Sequence, residues 1–218
     1  MNQKRLSVII KILRRYYACF HKPSVTEVSQ HYRDPYHVLF SCILSLRTQD
    51  KTTAQASQRF FLVAPTLLSV PNVPVKRIEK AIYPVGFYRT KAKTIKKIAK
   101  HIIGHFQGII PDTLDELLSL PGVGRKTANL VLTLGFNKLG ICVDTHVHRI
   151  SNRLGFVKTK TPFETEMILR KNLPKKYWKE YNDLLVSFGQ NICKPVSPFC
   201  SRCHVSPHCP KIGVMSHR

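Results

Sequence analysis

The spacing of apolar residues constrains the fold of this chain more than any other feature of its sequence. Apolar side chains recur at i, i+3 and i+4 through most of the 218 residues, whereas the alternation of a half-buried strand is scarce. Between residues 89 and 103, alanine and isoleucine recur at this spacing among six basic residues: Arg89, Lys91, Lys93, Lys96, Lys97 and Lys100. We therefore predict an all-α protein, in which this segment forms a helix with a buried apolar face and a solvated cationic face.

Capping residues mark where several of these helices begin. Asp34 precedes Pro35, which suits an N-cap followed by proline at the first helical position. Asp50 is expected to cap another helix, and Thr113 with Glu116 has the spacing of a capping box.

The N-terminal segment has basic residues before a short apolar stretch, as a targeting sequence does. However, Lys11 interrupts the apolar stretch, and no small-x-small cleavage site follows it. Leu6, Ile9, Ile10 and Leu13 instead fit an amphipathic helix that packs on the body of the protein. No apolar run reaches the ~18 residues that a membrane span needs. We expect a cytoplasmic, nucleoid-associated protein, and an organellar address is the less favoured alternative.

The net charge indicates the class of partner. Lys and Arg number 35 against 12 Asp and Glu, which gives a formal net charge of +23. This excess is far beyond what solubility needs and is typical of a protein that binds a polyanion, usually nucleic acid. A membrane surface is the alternative that charge alone leaves open.

A glycine-rich turn joins two predicted helices in the stretch LPGVGRKTANLVL, residues 120–132. Gly122 and Gly124 can adopt unusual backbone conformations and let another backbone approach closely. Backbone N–H groups at the turn and at the start of the second helix can bind a phosphate oxygen. Lys126 lies in the first turn of that helix, where the helix dipole disfavours a positive charge. Two glycines alone are also compatible with a plain helix–helix turn.

Seven cysteines are unevenly distributed along the chain. Cys19, Cys42 and Cys142 stand among apolar neighbours, and we predict that all three are core thiols. The other four follow the pattern C-x6-C-x2-C-x5-C near the C-terminus: Cys193, Cys200, Cys203 and Cys209. Without a secretion signal, this cluster favours a metal site over a disulfide framework. Four thiolates suit either tetrahedral zinc or an iron–sulfur cluster.

In combination, these motifs resemble the endonuclease III family of helix–hairpin–helix DNA glycosylases. The resemblance rests on LPGVGRKTA, on VDTH placed 18 residues after the lysine, and on the four-cysteine cluster, and it covers nearly the whole chain. It implies a helical-barrel domain over residues 28–137, with the helix–hairpin–helix at about 112–132. It also implies a second helical domain, formed by residues 1–27 and 138–218, that ends in an iron–sulfur loop at 193–209.

The resemblance assigns catalytic roles to two residues. Lys126 stands at the position of the family's nucleophile, an amine that must be uncharged to attack a sugar carbon and form a Schiff base. Asp144 would stabilise positive charge on the sugar and assist proton transfers, although an Asp before a helix is also an ordinary N-cap. The implied enzyme is a base-excision glycosylase and abasic-site lyase that removes oxidised pyrimidines from double-stranded DNA by β-elimination chemistry.

The resemblance also assigns DNA contacts. Four residues of the hairpin would hold a phosphate: Gly122, Val123, Gly124 and Arg125. Arg47 stands where many members carry glutamine and would hydrogen-bond the orphaned opposite base, with guanine the better partner. Phe87 stands where many carry leucine and would stack in the gap left by the flipped nucleotide. The alternatives are a phosphate contact for Arg47 and core packing for Phe87. Lys194 is the one basic residue between Cys193 and Cys200, where the family often carries several.

The cysteine spacing matches the [4Fe–4S] loop of the family, so the resemblance implies an iron–sulfur cluster rather than zinc. We expect a monomer whose partner is damaged or abasic duplex DNA. A monofunctional mismatch glycosylase of the same superfamily usually lacks the lysine, and a non-catalytic DNA-binding protein would bind without turnover. An electron-transfer iron–sulfur protein is a further alternative, but it would need neither the net charge of +23 nor the two-glycine hairpin. His146 and His148 do not share a helix face, which argues against a metal pair.

Overall fold

The structure, a computed structural model, describes residues 2–20 and 22–218. The chain divides into two compact units, Met1–Pro23 with Ile141–Arg218, and Ser24–Gly140. The predicted ranges, 1–27 with 138–218 and 28–137, differ from these by a few residues at each boundary. Met1 and His21, which belong to the predicted first range, lie outside the described residues.

The part of the chain that the structure describes contains no strand, so the all-α prediction is confirmed. Its α-helices, in chain order, are α1 (Gln3–Cys19), α2 (Ser24–Tyr32), α3 (Pro35–Ser45), α4 (Asp50–Val63), α5 (Val75–Ile82), α6 (Tyr88–His105), α7 (Leu114–Ser119), α8 (Arg125–Leu130), α9 (Thr145–Arg153), α10 (Pro162–Asn172) and α11 (Trp178–Asn191). A π-helical turn, Val131–Gly135, continues α8, and 3-10 turns occur at Leu67–Asn72, Lys175–Tyr177, Cys200–Arg202 and Ser206–His208. None of the helices in the described ranges is long and apolar enough to cross a membrane.

Helix α3 lies at the centre of the unit formed by residues 24–140. Eight of its 11 residues are buried, and it packs against α2, α4, α6 and α8. Asp34 caps it as predicted, because its Oδ1 accepts hydrogen bonds from the N–H groups of Tyr36 (2.8 Å) and His37 (3.2 Å). A helix that is apolar on every side is stable only when it is surrounded. The elements that pack around α3 carry several of the predicted site residues, among them Phe87 at the start of α6 and Lys126 in α8.

Two predicted caps differ from the structure. Gln49 is the N-cap of α4 and Asp50 is its first residue, so the prediction that Asp50 caps this helix is wrong. An acidic residue in the first turn still complements the positive end of the helix. Thr113 does cap α7, since its Oγ1 accepts from the Glu116 N–H at 3.4 Å. Its hydroxyl also donates to Glu116 Oε2 at 2.5 Å. The Glu116 carboxylate therefore bonds to the Thr113 side chain, whereas in a capping box it would accept from the Thr113 backbone N–H.

Helix α6 follows the predicted amphipathic pattern with one exception. Its alanines and isoleucines at 92, 95, 98, 99 and 102 are buried. Lys91, which we assigned to the solvated cationic face, is only 7% exposed. Its ammonium reaches the carbonyl groups at the end of α3 instead of water.

The unit formed by residues 1–23 and 141–218 is built around α1, α9 and α11. Helix α11 packs against both α1 and α9, and α10 packs against α9. The predicted stripe on α1, Leu6, Ile9, Ile10 and Leu13, is fully buried in this core, so the amphipathic N-terminal helix is confirmed.

One of the three predicted core thiols is not buried. Cys42 and Cys142 are buried, but Cys19 is exposed, so that prediction is wrong. Cys19 follows Leu13 by six residues, and six residues of an α-helix turn through about 240° beyond one full revolution. Its side chain therefore points away from the buried stripe of α1.

Candidate functional site

The hairpin between α7 and α8 uses its two glycines differently. Gly122 has a left-handed φ of 74°, and a Cβ added there would lie 3.2 Å from Thr94 Cγ2. The turn itself therefore requires this glycine. Gly124 is the N-cap of α8 and has an ordinary φ of −98°. A Cβ at Gly124 would meet no atom of the described residues within 4 Å, so the folded hairpin by itself does not require glycine there.

Val123, between the two glycines, stabilises the turn through its side chain and its backbone N–H. Its side chain is buried, and its N–H donates to the carbonyl oxygen of Leu120 at 3.1 Å. This amide is therefore already used inside the hairpin. Arg125 begins α8 and is half-buried, and its carbonyl oxygen accepts from Asn129 Nδ2 at 3.0 Å.

Lys126 lies in the first turn of α8 and is half-buried. It is close enough to the buried thiol of Cys42, on α3, to act on it electrostatically. Burial raises the pKa of Cys42 to about 12, and the positive charge of Lys126 acts in the opposite direction. The amine is thus partly withdrawn from water beside α3, the helix that carries Cys42.

Asp144 is the N-cap of α9 and is half-buried. Its Oδ1 accepts hydrogen bonds from the N–H groups of His146 and Val147, both at 2.9 Å. These two bonds hold the carboxylate at the positive end of the helix.

The two histidines that follow Asp144 have different partners. His146 Nδ1 lies 3.1 Å from Arg149 Nη2, and His148 Nδ1 lies 2.7 Å from Thr165 Oγ1. The Nδ1 atoms of the two rings therefore face different side chains.

Arg47 and Phe87 are brought together by the fold of the unit formed by residues 24–140. Arg47 lies between α3 and α4, and Phe87 is the N-cap of α6. The Arg47 Cζ atom lies 5.6 Å from the centroid of the Phe87 ring, within the range of a cation–π contact. Both residues have a left-handed φ, 53° for Arg47 and 57° for Phe87. Phe87 is 63% exposed, so the alternative of core packing is wrong for this residue.

The four C-terminal cysteines line one pocket of the unit formed by residues 1–23 and 141–218, together with apolar side chains and Arg153. Burial raises the pKa of Cys203 to about 11 and also raises the pKa values of Cys200 and Cys209. Thiolates in this pocket therefore need positive charge close by. As the side chains stand, the described residues include no group of three or more His, Cys, Asp or Glu arranged to hold a metal ion.

Arg153 and the backbone amide of Lys211 supply donors to this pocket. Arg153 is 8% exposed, and its Nη1 donates to Cys193 Sγ at 3.4 Å and to the Lys194 carbonyl oxygen at 2.7 Å. The Lys211 N–H donates to Cys209 Sγ at 3.4 Å. A buried guanidinium beside a cysteine sulfur fits a site for an anionic thiolate group, so the donor set suits a metal or cluster. Nothing in the local sequence around Arg153 predicts this contact, because its neighbours are those of a surface arginine.

Lys194 belongs to a group of cations around Phe199. Its Nζ lies 5.3 Å from the centroid of that ring, and the Cζ atoms of Arg202 and Arg218 lie 4.0 and 4.3 Å from it. The loop between Cys193 and Cys200 has one basic residue of its own, and the structure places Arg202 and Arg218 beside it.

Comparison with known proteins identifies one family over most of the chain. A family model described as the HhH-GPD superfamily base excision DNA repair protein matches residues 40–175. The endonuclease III of Thermotoga maritima is 48% identical over 176 residues, which are 81% of this chain and 83% of that protein. The chloroplastic endonuclease III homolog 2 of Arabidopsis thaliana is 46% identical over 186 residues, 80% of this chain, and the match spans 48% of the plant protein's length.

Two solved structures of protein–DNA complexes have the same fold. A non-covalent endonuclease III–DNA complex superposes with a TM-score of 0.85 at 32% identity, covering 97% of this chain and 96% of that one. A trapped endonuclease III–DNA covalent intermediate, an estranged-adenine complex, superposes with a TM-score of 0.81 at 33% identity, covering 94% and 95%.

Proposed function

This chain belongs to the HhH-GPD superfamily of base excision DNA repair proteins, and we propose that it is a bifunctional DNA glycosylase and abasic-site lyase of the endonuclease III type. Its substrate is double-stranded DNA that contains oxidised pyrimidines or abasic sites. The observation that carries the proposal is Lys126, a half-buried amine in the first turn behind the glycine hairpin, in a chain similar to a protein trapped covalently on DNA.

The lysine makes the reaction a substitution followed by an elimination. The damaged nucleotide first leaves the base stack. The lone pair of Lys126 Nζ then forms a bond to C1′ of the sugar, and the bond from C1′ to the base breaks, so that the base leaves with the electron pair and takes up a proton. Opening of the sugar ring gives an imine between Lys126 and C1′.

The imine makes strand cleavage possible. It withdraws electrons from C2′, so a base can remove a C2′ proton, and the bond from C3′ to its oxygen breaks by β-elimination. The phosphate on the 3′ side leaves, and water then hydrolyses the imine and returns the free amine. No oxidant or reductant is needed in these steps.

Asp144 is the group that we assign to the proton transfers and to the positive charge that develops on the sugar. The two amides that bind its Oδ1 keep the carboxylate in one orientation. Capping and catalysis are compatible roles, because the cap restricts the rotamer without removing the charge.

The hairpin and the Arg47–Phe87 pair are the DNA-binding parts of the proposal. Gly122 shapes the turn and Val123 packs beneath it, while Gly124 and Arg125 face the phosphate backbone at the start of α8. The ring of Phe87 fills the gap left by the flipped nucleotide. The guanidinium of Arg47 then donates to the opposite base, for which guanine offers the better acceptors.

The four cysteines would hold a [4Fe–4S] cluster, with Arg153 donating to one of them. The group supplies no step of the reaction and instead orders the loop at residues 193–209. Lys194, with Arg202 beside it at the ring of Phe199, would contribute phosphate contacts from this loop.

Separate measurements of base release and strand incision test the proposal. The substrate is a duplex with one ring-saturated thymine, and the enzyme is the full chain. A bifunctional enzyme gives both products, and incision remains coupled to base release. Base release without incision would indicate the monofunctional alternative, and salt-sensitive binding with neither product would indicate a non-catalytic DNA-binding protein.

A further inference from the structure

We infer that Lys91 is a positioning residue for the Arg47–Phe87 pair, because its buried ammonium holds the loop of Arg47 and, through Thr48, the contact of that loop with the loop of Phe87. The inference rests on the proposed function in one respect, namely that the pair fills the gap in damaged duplex DNA. It concerns a lysine that the sequence places among the solvated cations of α6.

The two loops approach each other through Thr48 and Gly86. The Gly86 N–H donates to Thr48 Oγ1 at 3.2 Å. A Cβ on Gly86 would lie 2.5 Å from the carbonyl oxygen of Arg47, so only glycine permits this approach. The loop of Arg47 and the loop of Phe87 are therefore in direct contact next to the pair itself.

The Lys91 ammonium forms hydrogen bonds to the Arg47 side of this contact. Its Nζ donates to the Leu44 carbonyl oxygen at 2.8 Å and to Thr48 Oγ1 at 3.2 Å, and it also contacts the Leu46 carbonyl oxygen. Leu46 is the C-cap of α3, so the ammonium meets the negative end of that helix. The Thr48 hydroxyl donates to the Leu46 carbonyl oxygen at 3.2 Å, which uses its one donor while its lone pairs accept from Gly86 and Lys91.

Lys91 also contacts the Phe87 side. Its backbone N–H donates to the Phe87 carbonyl oxygen at 2.9 Å, in the first turn of α6. This is the ordinary backbone bond of an α-helix, so it fixes Lys91 one turn after Phe87, while the ammonium bonds to both neighbours of Arg47. Arg47 and Phe87 both have left-handed φ values, and such values at residues other than glycine persist where the surrounding structure holds them.

The burial of Lys91 agrees with this role and not with a solvated one. Burial lowers the pKa of Lys91 to about 8, so the site disfavours the charge that it contains. The groups that contact Nζ are neutral acceptors, and together they satisfy its three protons. Lys96, on the same helix, makes a matched control because its Nζ donates to the Val73 carbonyl oxygen at 2.8 Å, away from both loops.

Hydrogen exchange of the Gly86 amide tests the positioning without any need for turnover. We expect exchange to be about tenfold faster or more in Lys91→Met and in Thr48→Val, because each removes a partner of the Thr48 hydroxyl network. Thr48→Ser, which keeps the hydroxyl, and Lys96→Met should exchange at the wild-type rate. Unchanged Gly86 exchange in both Lys91→Met and Thr48→Val would overturn the inference, and Thr48→Val provides the answer if Lys91→Met does not fold.

Two DNA substrates then test whether the position matters to the reaction. Single-turnover base release from duplex DNA with a ring-saturated thymine should fall about tenfold or more in Lys91→Met. Borohydride trapping on a single-stranded abasic oligonucleotide, which has no gap to fill, should stay at the wild-type level. Equal losses on both substrates, or no loss on the duplex, would overturn the inference.

A double variant separates positioning from general damage. In an Arg47→Ala background, Lys91→Met should add little to the loss of base release, because it acts through Arg47 and Phe87. Full additivity would contradict the inference. If the wild-type protein acts on neither DNA, the proposed function fails, and Gly86 exchange still decides whether Lys91 joins the loops.

Discussion

The guanidinium carbon of Arg47 lies 5.6 Å from the centre of the Phe87 ring, although 40 residues of sequence separate the two. Both side chains are exposed, and both residues have left-handed backbone conformations. In the role proposed for them, a cation and a ring held in this way would lose little freedom on entering the space of a flipped nucleotide. Together they form a preorganised pair rather than two independent surface residues.

Replacement of Gly86 with alanine should disrupt this pair. The new Cβ would lie 2.5 Å from the Arg47 carbonyl oxygen, so the backbones must separate, at a cost of about 1–3 kcal/mol in the free energy of unfolding. We expect a lower thermal midpoint and about tenfold slower base release from duplex DNA. The control is Gly104→Ala in α6, where a Cβ meets no described atom within 4 Å and should slightly stabilise the helix. Wild-type base release by Gly86→Ala would contradict the role of the pair.

Gly124→Ala should separate the requirements of folding from those of binding. The backbone there is extended and the added methyl group meets no described atom within 4 Å, so the free energy of unfolding should not fall. Affinity for duplex DNA with an abasic-site analogue, measured by fluorescence anisotropy, should fall several-fold if a phosphate approaches this backbone. Gly122→Ala should instead destabilise the fold by about 1 kcal/mol, because its φ is left-handed. Unchanged affinity in Gly124→Ala would remove Gly124 from the DNA interface.

Asp144→Asn should lower turnover while the protein remains folded. The amide oxygen of asparagine can accept the same two N–H groups, and Asn and Asp cap helices about equally well, so stability should change by less than about 0.5 kcal/mol. The missing charge should slow single-turnover base release about 100-fold. Asp34→Asn makes the same change at the N-cap of α3 and should leave the rate unaltered. Equal rates for Asp144→Asn and the wild type would exclude the carboxylate from the reaction.

Cys203→Ser should lower the iron content of the purified protein and its visible absorbance. Serine replaces one of the four cysteines that line the pocket and are proposed to hold the cluster, and the loop at residues 193–209 should then unfold at a lower temperature. Cys19→Ser alters an exposed thiol outside the pocket and should leave the iron content unchanged. Zinc in place of iron in the wild-type protein would contradict the iron–sulfur proposal.

Periodicity and capping chemistry made the helices predictable, because both are local properties. The buried stripe of α1, the Asp34 cap of α3 and the Asp144 cap of α9 follow from residues within a few positions of each other. The two errors are also local: Cys19 lies on the exposed side of α1, and α4 has its N-cap at Gln49, one residue before the predicted Asp50. The placement of Lys126 behind a glycine hairpin is local in the same sense.

The contacts that cross from one element to another could not be predicted in this way. The sequence around Lys91 is that of a solvated helix face, and only the end of α3 explains why this lysine is buried. Arg153 likewise looks like a surface residue until the loop of Cys193 packs against it. In both cases a cation is buried because carbonyl groups or a sulfur from a distant segment satisfy it, and spacing along the chain does not encode that partner.

Borohydride reduction during the reaction tests the central claim most directly. With wild-type protein and duplex DNA that contains a ring-saturated thymine, reduction should join protein to DNA, and mass mapping of the adduct should locate the bond at Lys126. Lys126→Ala should bind the DNA and give no adduct. Lys138→Ala, which removes an exposed lysine paired with Asp112 at 2.6 Å, should react like the wild type. Incision without a covalent adduct, or an adduct on another residue, would contradict the account.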